Sequence, residues 1–165
     1  MLEKKIEKHA ISVLVNDEPG ALARVIGLFS GRGYNIDSLT VAPVNLEKKY
    51  SRIIIVTFGT KMIIEQIISS LARLIQVKKV IDLTSSNSSQ EKELALIKIN
   101  PKKGKKKRIF IIAKKFKAKI IFQNPKNLAF EITNSPDNIN TFIMKLNILG
   151  KIDVSRTGLI ALVKD

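Results

Sequence analysis

Asn16-Asp17-Glu18-Pro19-Gly20-Ala21-Leu22 is the stretch of this chain whose residue types best suit a small ligand. It reads as a strand-to-helix turn, so its backbone N–H groups lie along the positive end of a helix dipole and suit a carboxylate or phosphate. Gly20 lets a ligand reach the backbone without meeting a side chain. Downstream, Tyr34-Asn35-Ile36 opens a segment read as a strand. Asn35 offers donors and an acceptor suited to the polar head of an α-amino acid. A split βαβ sheet puts it near that turn or near the turn's copy in a partner subunit. The plainer reading is a helix cap followed by a strand start.

Other chemistry finds little support. The 165 residues contain no Cys and one His, His9. That removes disulfides, thiolate zinc sites, iron–sulfur clusters, thiol nucleophiles and an imidazole metal cluster. Gly31-Arg32-Gly33 is followed by Tyr-Asn-Ile, so no dinucleotide fingerprint forms. Lys103-Gly104-Lys105 lacks the upstream glycine and the Ser/Thr of a phosphate-binding loop. No G-x-S-x-G elbow occurs, and His9 has no evident partners for nucleophilic catalysis. Acidic residues are mostly scattered singly, and Asp17-Glu18 on its turn suits capping better than acid–base work. The charged start and the short apolar runs, such as Ile109–Ala113, predict neither a secretory signal nor a membrane span. The expectation is a soluble, cytoplasmic protein without small-molecule catalysis.

The net charge of +15 is concentrated. Eleven basic residues and no acid lie between Lys98 and Lys119, and the remainder carries 18 basic against 14 acidic residues. Lys outnumbers Arg 23 to 6 and Ile supplies 26 residues, a bias expected of an A/T-rich coding sequence. Selection for phosphate binding would favour Arg, whose planar fork grips phosphate bidentately. A solvated, compositionally drifted face is therefore preferred to a polyanion site.

The elements that must position the turn follow from periodicity. Residues 9–15 alternate as a strand, with Ile11, Val13 and Val15 on one side. Asn16 or Asp17 is a candidate N-cap, and Pro19 suits a first helical turn. From Gly20 to about Arg32 the apolar set Leu22, Val25, Ile26 and Phe29 predicts a helix, which Gly33 stops in a left-handed conformation. Tyr34–Pro43 is expected as a second strand, bent near Asp37–Ser38. Ser51–Phe58 is a third, with Ile53–Val56 buried on both faces. A second helix from Lys61 to Leu74 carries Ile64, Ile67, Ile68, Leu71 and Ile75 on its apolar face; Glu65, Gln66, Ser69, Ser70 and Arg73 form the polar one. Val77–Leu83 closes a β-α-β-β-α-β order.

Polar residues around Thr84–Gln90 read as a linker, giving a first domain over 1–84, a linker over 85–92 and a second domain over 93–165. The second half repeats the order: strand Glu93–Asn100, lysine-rich helix Lys105–Phe116 on Ile109, Ile112, Ala113 and Phe116, then strands Lys119–Gln123 and Leu128–Thr133 around Asn124–Asn127. Ser135-Pro136-Asp137 starts a helix carrying Ile139, Phe142, Ile143 and Leu146, which Gly150 ends. Strands Lys151–Ser155 and Leu159–Val163 finish the chain. The fold class expected is α+β, two ferredoxin-like domains in tandem.

Two linked runs are more specific. Asp17-Glu-Pro-Gly-Ala-Leu-Ala-Arg-Val-Ile-Gly-Leu-Phe-Ser30 and Arg32-Gly-Tyr-Asn-Ile-Asp-Ser-Leu-Thr-Val-Ala-Pro43 resemble the amino-terminal ACT domain of acetolactate (acetohydroxyacid) synthase small subunits. ACT domains in general share only the D-x-P-G-x-L turn; the R-G-Y-N-I-x-S-L-T-V-A-P run is far more restrictive. Tyr50–Ile55, Leu74–Val80, Glu93–Ile99 and Ser155–Leu162 resemble later parts of that family, while Pro101–Asn127 matches weakly and is unusually basic.

The resemblance implies a non-catalytic regulatory subunit. No cofactor sits on this chain; thiamine diphosphate, magnesium and FAD belong to a large catalytic partner that condenses two pyruvates, or pyruvate with 2-oxobutyrate, at the entry to branched-chain amino-acid synthesis. It implies activation of that partner, valine feedback, and a homodimer through the ACT domains with the effector between them. The effector residues carried over are Asp17, Gly20, Ala21, Asn35 and Ile36. The family commonly has Asn at position 17, and a carboxylate there repels the ligand's carboxylate while attracting its ammonium. Two other readings compete: a stand-alone ACT amino-acid sensor, and a nucleic-acid binder using Lys98–Lys119. The latter is disfavoured because Phe110 and Phe116 fall at helix-core positions and leave no stacking platform.

Overall fold

In the computed structural model, residues 5–84 and 89–163 are described. The chain divides into two compact units: the described residues of Met1–Gln90 with those of Leu159–Asp165, and Glu91–Gly158. The first unit runs β1 (Glu7–Asn16), α1 (Ala21–Gly31), β2 (Ser38–Asn45), β3 (Tyr50–Gly59), α2 (Lys61–Ala72) and β4 (Val77–Asp82). Its antiparallel sheet has the order β2-β3-β1-β4. Ile11, Val13 and Val15 of β1 and Ile53 and Ile55 of β3 share one face, where they meet Val25 and Phe29 of α1 and Ile64, Ile67 and Leu71 of α2. The period-two alternation of a strand thus feeds the apolar stripes of two helices. Ile54 and Val56 are buried on the opposite face with Ala10, Leu83, Leu159 and Ala161, so β3 is covered on both sides as its continuous apolar run predicts.

The second unit contains β5 from Glu91 onward (Ser89–Pro101 in full), α3 (Lys106–Lys115), β6 (Lys119–Gln123), β7 (Leu128–Asn134), α4 (Pro136–Asn147) and β8 (Gly150–Arg156). The sheet order β6-β7-β5-β8 repeats that of the first unit. Its core joins Ile97 and Ile99, Ile109 and Ala113, Phe130 and Ile132, and Ile139, Phe142 and Leu146. Both units are ferredoxin-like α+β folds.

Several local expectations are corrected. Tyr34–Asp37 is not strand; β2 begins at Ser38. The apparent alternation of Tyr34 and Ile36 arises because both pack onto the core from a loop. The irregularity in β2 falls between Pro43 and Asn45 rather than at Asp37–Ser38. Leu22 and Ile75 are exposed, and Ala21 takes the inward place at the start of α1. Gly150 does not end α4, whose C-cap is Ile148; it opens β8 instead. A Cβ there would lie 2.2 Å from the carbonyl oxygen of Asn100, so glycine is required by close backbone approach. Of the linker over 85–92, residues 85–88 lie outside the described residues and Ser89–Lys92 belong to β5. The closing strand β9 (Ile160–Val163) groups with the first unit and not with 93–158, because Leu159 and Ala161 are buried against Ala10, Ile54 and Val56.

Candidate functional site

The turn between β1 and α1 is held by backbone bonds on both sides. Asn16 N–H donates to Gln76 O at 2.8 Å, and Asp17 N–H donates to Lys49 O, in the β2–β3 hairpin, at 2.7 Å. Glu18 O accepts from Ala21 N–H at 3.2 Å. Gly20 is the N-cap of α1 with φ +85°, a left-handed conformation that glycine adopts without strain. Neither Asn16 nor Asp17 caps the helix, and Pro19 precedes it, which corrects the expectation for this turn. A side chain that cannot reach the first-turn amides leaves Leu22 N–H and Ala23 N–H without a protein acceptor among the described residues. No atom lies within 4 Å of where a Gly20 Cβ would stand. No acid occupies the first turn of α1. Asp17 and Gly20 are exposed, while Ala21 is buried. The turn is therefore an open, donor-rich surface with two exposed carboxylates, Asp17 and Glu18, at its edge.

Asn35 and Ile36 lie elsewhere. α1 leaves the turn and runs back along the sheet, and Gly33 (φ +68°) reverses the chain after it. Tyr34 N–H donates to Phe29 O at 3.0 Å and Asp37 N–H to Val56 O at 2.8 Å. The carbonyl oxygen of Asn35 accepts from the Thr57 hydroxyl at 2.6 Å, leaving the exposed carboxamide available. Ile36 is half-buried against the core. Thr57 is the ladder partner of His9, near the start of β1, whereas Ser51 is the partner of Val15, beside the turn. Six ladder positions separate them, roughly 20 Å at about 3.3 Å per residue. Asp17, Gly20 and Ala21 are brought together; Asn35 and Ile36 stand at the other end of the same sheet. Of the two placements the sequence left open, the structure removes proximity within one chain.

Three other polar arrangements carry no signal readable in advance. Ser70, on the polar face of α2 by its spacing, is buried and accepts from both Arg32 and Arg73. His9 Nδ1 lies 3.0 Å from Asp82 Oδ2, a pairing across 73 residues that ties β1 to the end of β4. Glu93 is buried and gripped by Arg156 in the second unit. Among the described residues no group of three or more His, Asp or Glu could hold a metal ion. Among them, too, no helix is long and apolar enough to cross a membrane.

The basic segment is largely surface. Lys107, Arg108, Lys114 and Lys115 of α3 are exposed, while Ile109 and Ala113 are buried and Phe110, Ile112 and Phe116 pack on the core. Phe116 and Phe142 pack against each other at a 5.2 Å ring-centroid distance, tilted by 38°, so neither ring is displayed as a platform for bases.

The first unit has the βαββαβ topology and glycine-capped first turn of an ACT-type domain, and it is followed by a second unit of the same topology. The family described as the small-subunit-like ACT domain of acetohydroxyacid synthase matches residues 11–79, and that described as the small subunit of acetolactate synthase matches residues 92–165. The acetolactate synthase small subunit of Aquifex aeolicus is 38% identical over 159 residues, covering 96% of this chain and 82% of the relative. The isozyme 3 small subunit of Salmonella typhimurium is 36% identical, covering 94% of each chain. The crystal structure of the Thermotoga maritima acetolactate synthase small subunit superposes with a TM-score of 0.83 at 32% identity, covering 96% of this chain and 98% of that one. The chain belongs to the acetolactate synthase small-subunit family.

Proposed function

We propose that this chain is the non-catalytic subunit that activates a thiamine-diphosphate acetolactate synthase and makes it responsive to valine, acting in the cytoplasm. Membership of the small-subunit family supports the pairing with a large catalytic chain. Thiamine diphosphate, magnesium and FAD then reside on that partner, and this chain supplies contacts and an effector site.

The observation that carries the effector reading is the separation of the two half-sites. The Asp17–Gly20–Ala21 turn offers unpaired amides and a carboxylate; the Asn35–Ile36 loop offers a carboxamide and an apolar side chain. Valine needs acceptors for its ammonium, donors for its carboxylate and an apolar wall for its isopropyl group. The Asn35–Ile36 loop brings one neutral carboxamide for two charged ends, and the turn lacks the Ile36 wall, so the two halves are complementary. β2 is the last strand of the first sheet, and Val41 and Val44 on it are exposed. An antiparallel pairing of two β2 edges, one from each copy, reverses the sheet direction. The Asn35 end of one copy then meets the end that carries the partner's turn. A homodimer through the first domain thus builds two composite effector sites.

The unit over 93–158 and its basic α3 contribute to docking on the catalytic subunit. Exposed Lys107, Arg108, Lys114 and Lys115 steer association with an acidic surface, an effect that salt screens over about 8–10 Å. Co-purification with the cognate catalytic subunit, followed by acetolactate assays with and without valine, tests the reading. Several-fold activation with valine inhibition is expected, and no acetolactate from this chain alone. Failure to bind or to activate the partner refutes it.

A further inference from the structure

We propose that a cleft in the first unit, running along α2 beside the carboxyl-terminal end of α1, binds the phosphate group of a small phosphorylated metabolite. The cleft is a solvent-open depression of about 510 Å³ lined by Arg32, Tyr34, Gln66, Ser69, Ser70 and Arg73, among others. Arg32 donates through Nη1 to the Ser70 hydroxyl oxygen, and Arg73 donates to the same oxygen through Nη2 at 3.3 Å. Ser70 is only 5% exposed, so the pair is anchored on a fixed point of the core.

A serine hydroxyl has two acceptor lone pairs, and here both are taken by guanidinium groups. Each arginine keeps further N–H donors in its planar fork. Helix C-termini favour cations, which accounts for one arginine at each helix end but not for the convergence of both on one hydroxyl. Arg32 and Arg73 are exposed, so water screens their repulsion, and an anion placed between them would be attracted by both. Among the described residues no carboxylate forms an ion pair with either arginine. A dianion with several acceptor oxygens balances both charges and satisfies the free donors, which favours phosphate over a carboxylate.

The rest of the cleft indicates that the phosphate is carried by a larger molecule. Glu65, which also lines the cleft, precedes Ser70 by five residues, about 7–8 Å along the helix axis. That distance suits a hydroxyl or amine several atoms from a phosphate. Gln66 and Ser69 offer neutral hydrogen bonds between these ends.

Calorimetric titration of the full chain with inorganic phosphate and, separately, with glycerol 3-phosphate tests this, with sodium chloride at equal ionic strength as the control. Saturable binding of both probes is expected, tighter for glycerol 3-phosphate. Arg32→Gln and Arg73→Gln should each weaken it about tenfold or more, the loss of one charge-assisted contact. Arg24→Gln, an exposed cation on α1 outside the cleft, should leave it unchanged. Ser70→Ala keeps both charges and removes their anchor, so a smaller loss is expected, with folding of all variants checked by circular dichroism. No saturable binding, or equal affinity in wild type and both folded arginine variants, overturns the proposal. Equal affinity for the two probes overturns the assignment to a phosphorylated metabolite.

Discussion

The Thr57 hydroxyl donates to the carbonyl oxygen of Asn35 at 2.6 Å, and this bond pins the Asn35–Ile36 loop at the end of the sheet opposite Asp17. Thr57 is 1% exposed, so its hydroxyl has no ready alternative partner in water. Thr57→Val keeps the shape, loses the donor and leaves a carbonyl oxygen short of a partner, at a cost of about 1 kcal/mol. The expected outcome is a weaker valine response with activation of the catalytic subunit retained, read from inhibition curves of the reconstituted enzyme. An unchanged curve would show that the loop's position does not matter to the effector.

Gly20→Asp is expected to remove the valine response and spare activation. The new carboxylate would stand beside the open amides of Leu22 and Ala23, repelling the ligand's carboxylate and filling its approach. No atom lies within 4 Å of the added Cβ, so the fold tolerates it, although the left-handed backbone costs roughly 1–2 kcal/mol. Gly20→Asn separates charge from shape, and should respond to valine better than Gly20→Asp. Inhibition of Gly20→Asp at the wild-type valine concentration would locate the effector elsewhere.

In the second unit Arg156 holds Glu93 bidentately, Nε to Oε1 at 2.8 Å and Nη2 to Oε2 at 2.6 Å, while Nη1 donates to Asn140 Oδ1 at 2.8 Å. The Glu93 side chain is 5% exposed and that of Arg156 is 35% exposed. Removing the guanidinium strands a buried carboxylate. Arg156→Ala is therefore expected to cost about 2–3 kcal/mol, below the range for a fully buried pair because water reaches the arginine. Urea unfolding checks it; an unaltered midpoint would mean that the pair contributes nothing net.

Replacing Lys103, Lys105, Lys106 and Lys107 by Gln should slow assembly with the catalytic subunit at low salt and leave the activity of the assembled complex nearly unchanged. The Lys106 ammonium also donates to Pro125 O at 3.1 Å, an exposed bond whose loss is minor. A nucleic-acid site predicts a different signature: affinity falling with log salt at about −0.7 to −0.9 per phosphate neutralised. Sequence-selective nucleic-acid binding at physiological salt, lost in this variant, would displace the docking reading.

Much of this architecture is legible in the residues because strand and helix periods differ cleanly. Ile11, Val13 and Val15 alternate, Val25 and Phe29 recur at helical spacing, and Ile53–Val56 reads as buried on both faces; each does what its spacing says. What escapes is set by distant partners. Ser70 looks like a surface residue until Arg32, 38 positions away, reaches it. Gly150 looks like a helix stop, but its position answers to the Asn100 carbonyl. Tyr34 and Ile36 imitate a strand because a loop crossing the core also buries alternate side chains. For the site, the turn's residues are readable locally, whereas the distance from Gly20 to Asn35 depends on the course of α1 and the register of β1 with β3.

A mixing experiment tests the composite effector site most directly. Gly20→Asp damages one half of each site and Asn35→Ala the other, so neither variant alone should respond to valine, while each should still activate the catalytic subunit. Co-expressed, the two variants form mixed dimers in which one site carries both defects and the other carries none. Valine inhibition of acetolactate formation should therefore return in part. A mixture as insensitive as either parent, beside a wild type that valine inhibits, would contradict a site shared between two copies.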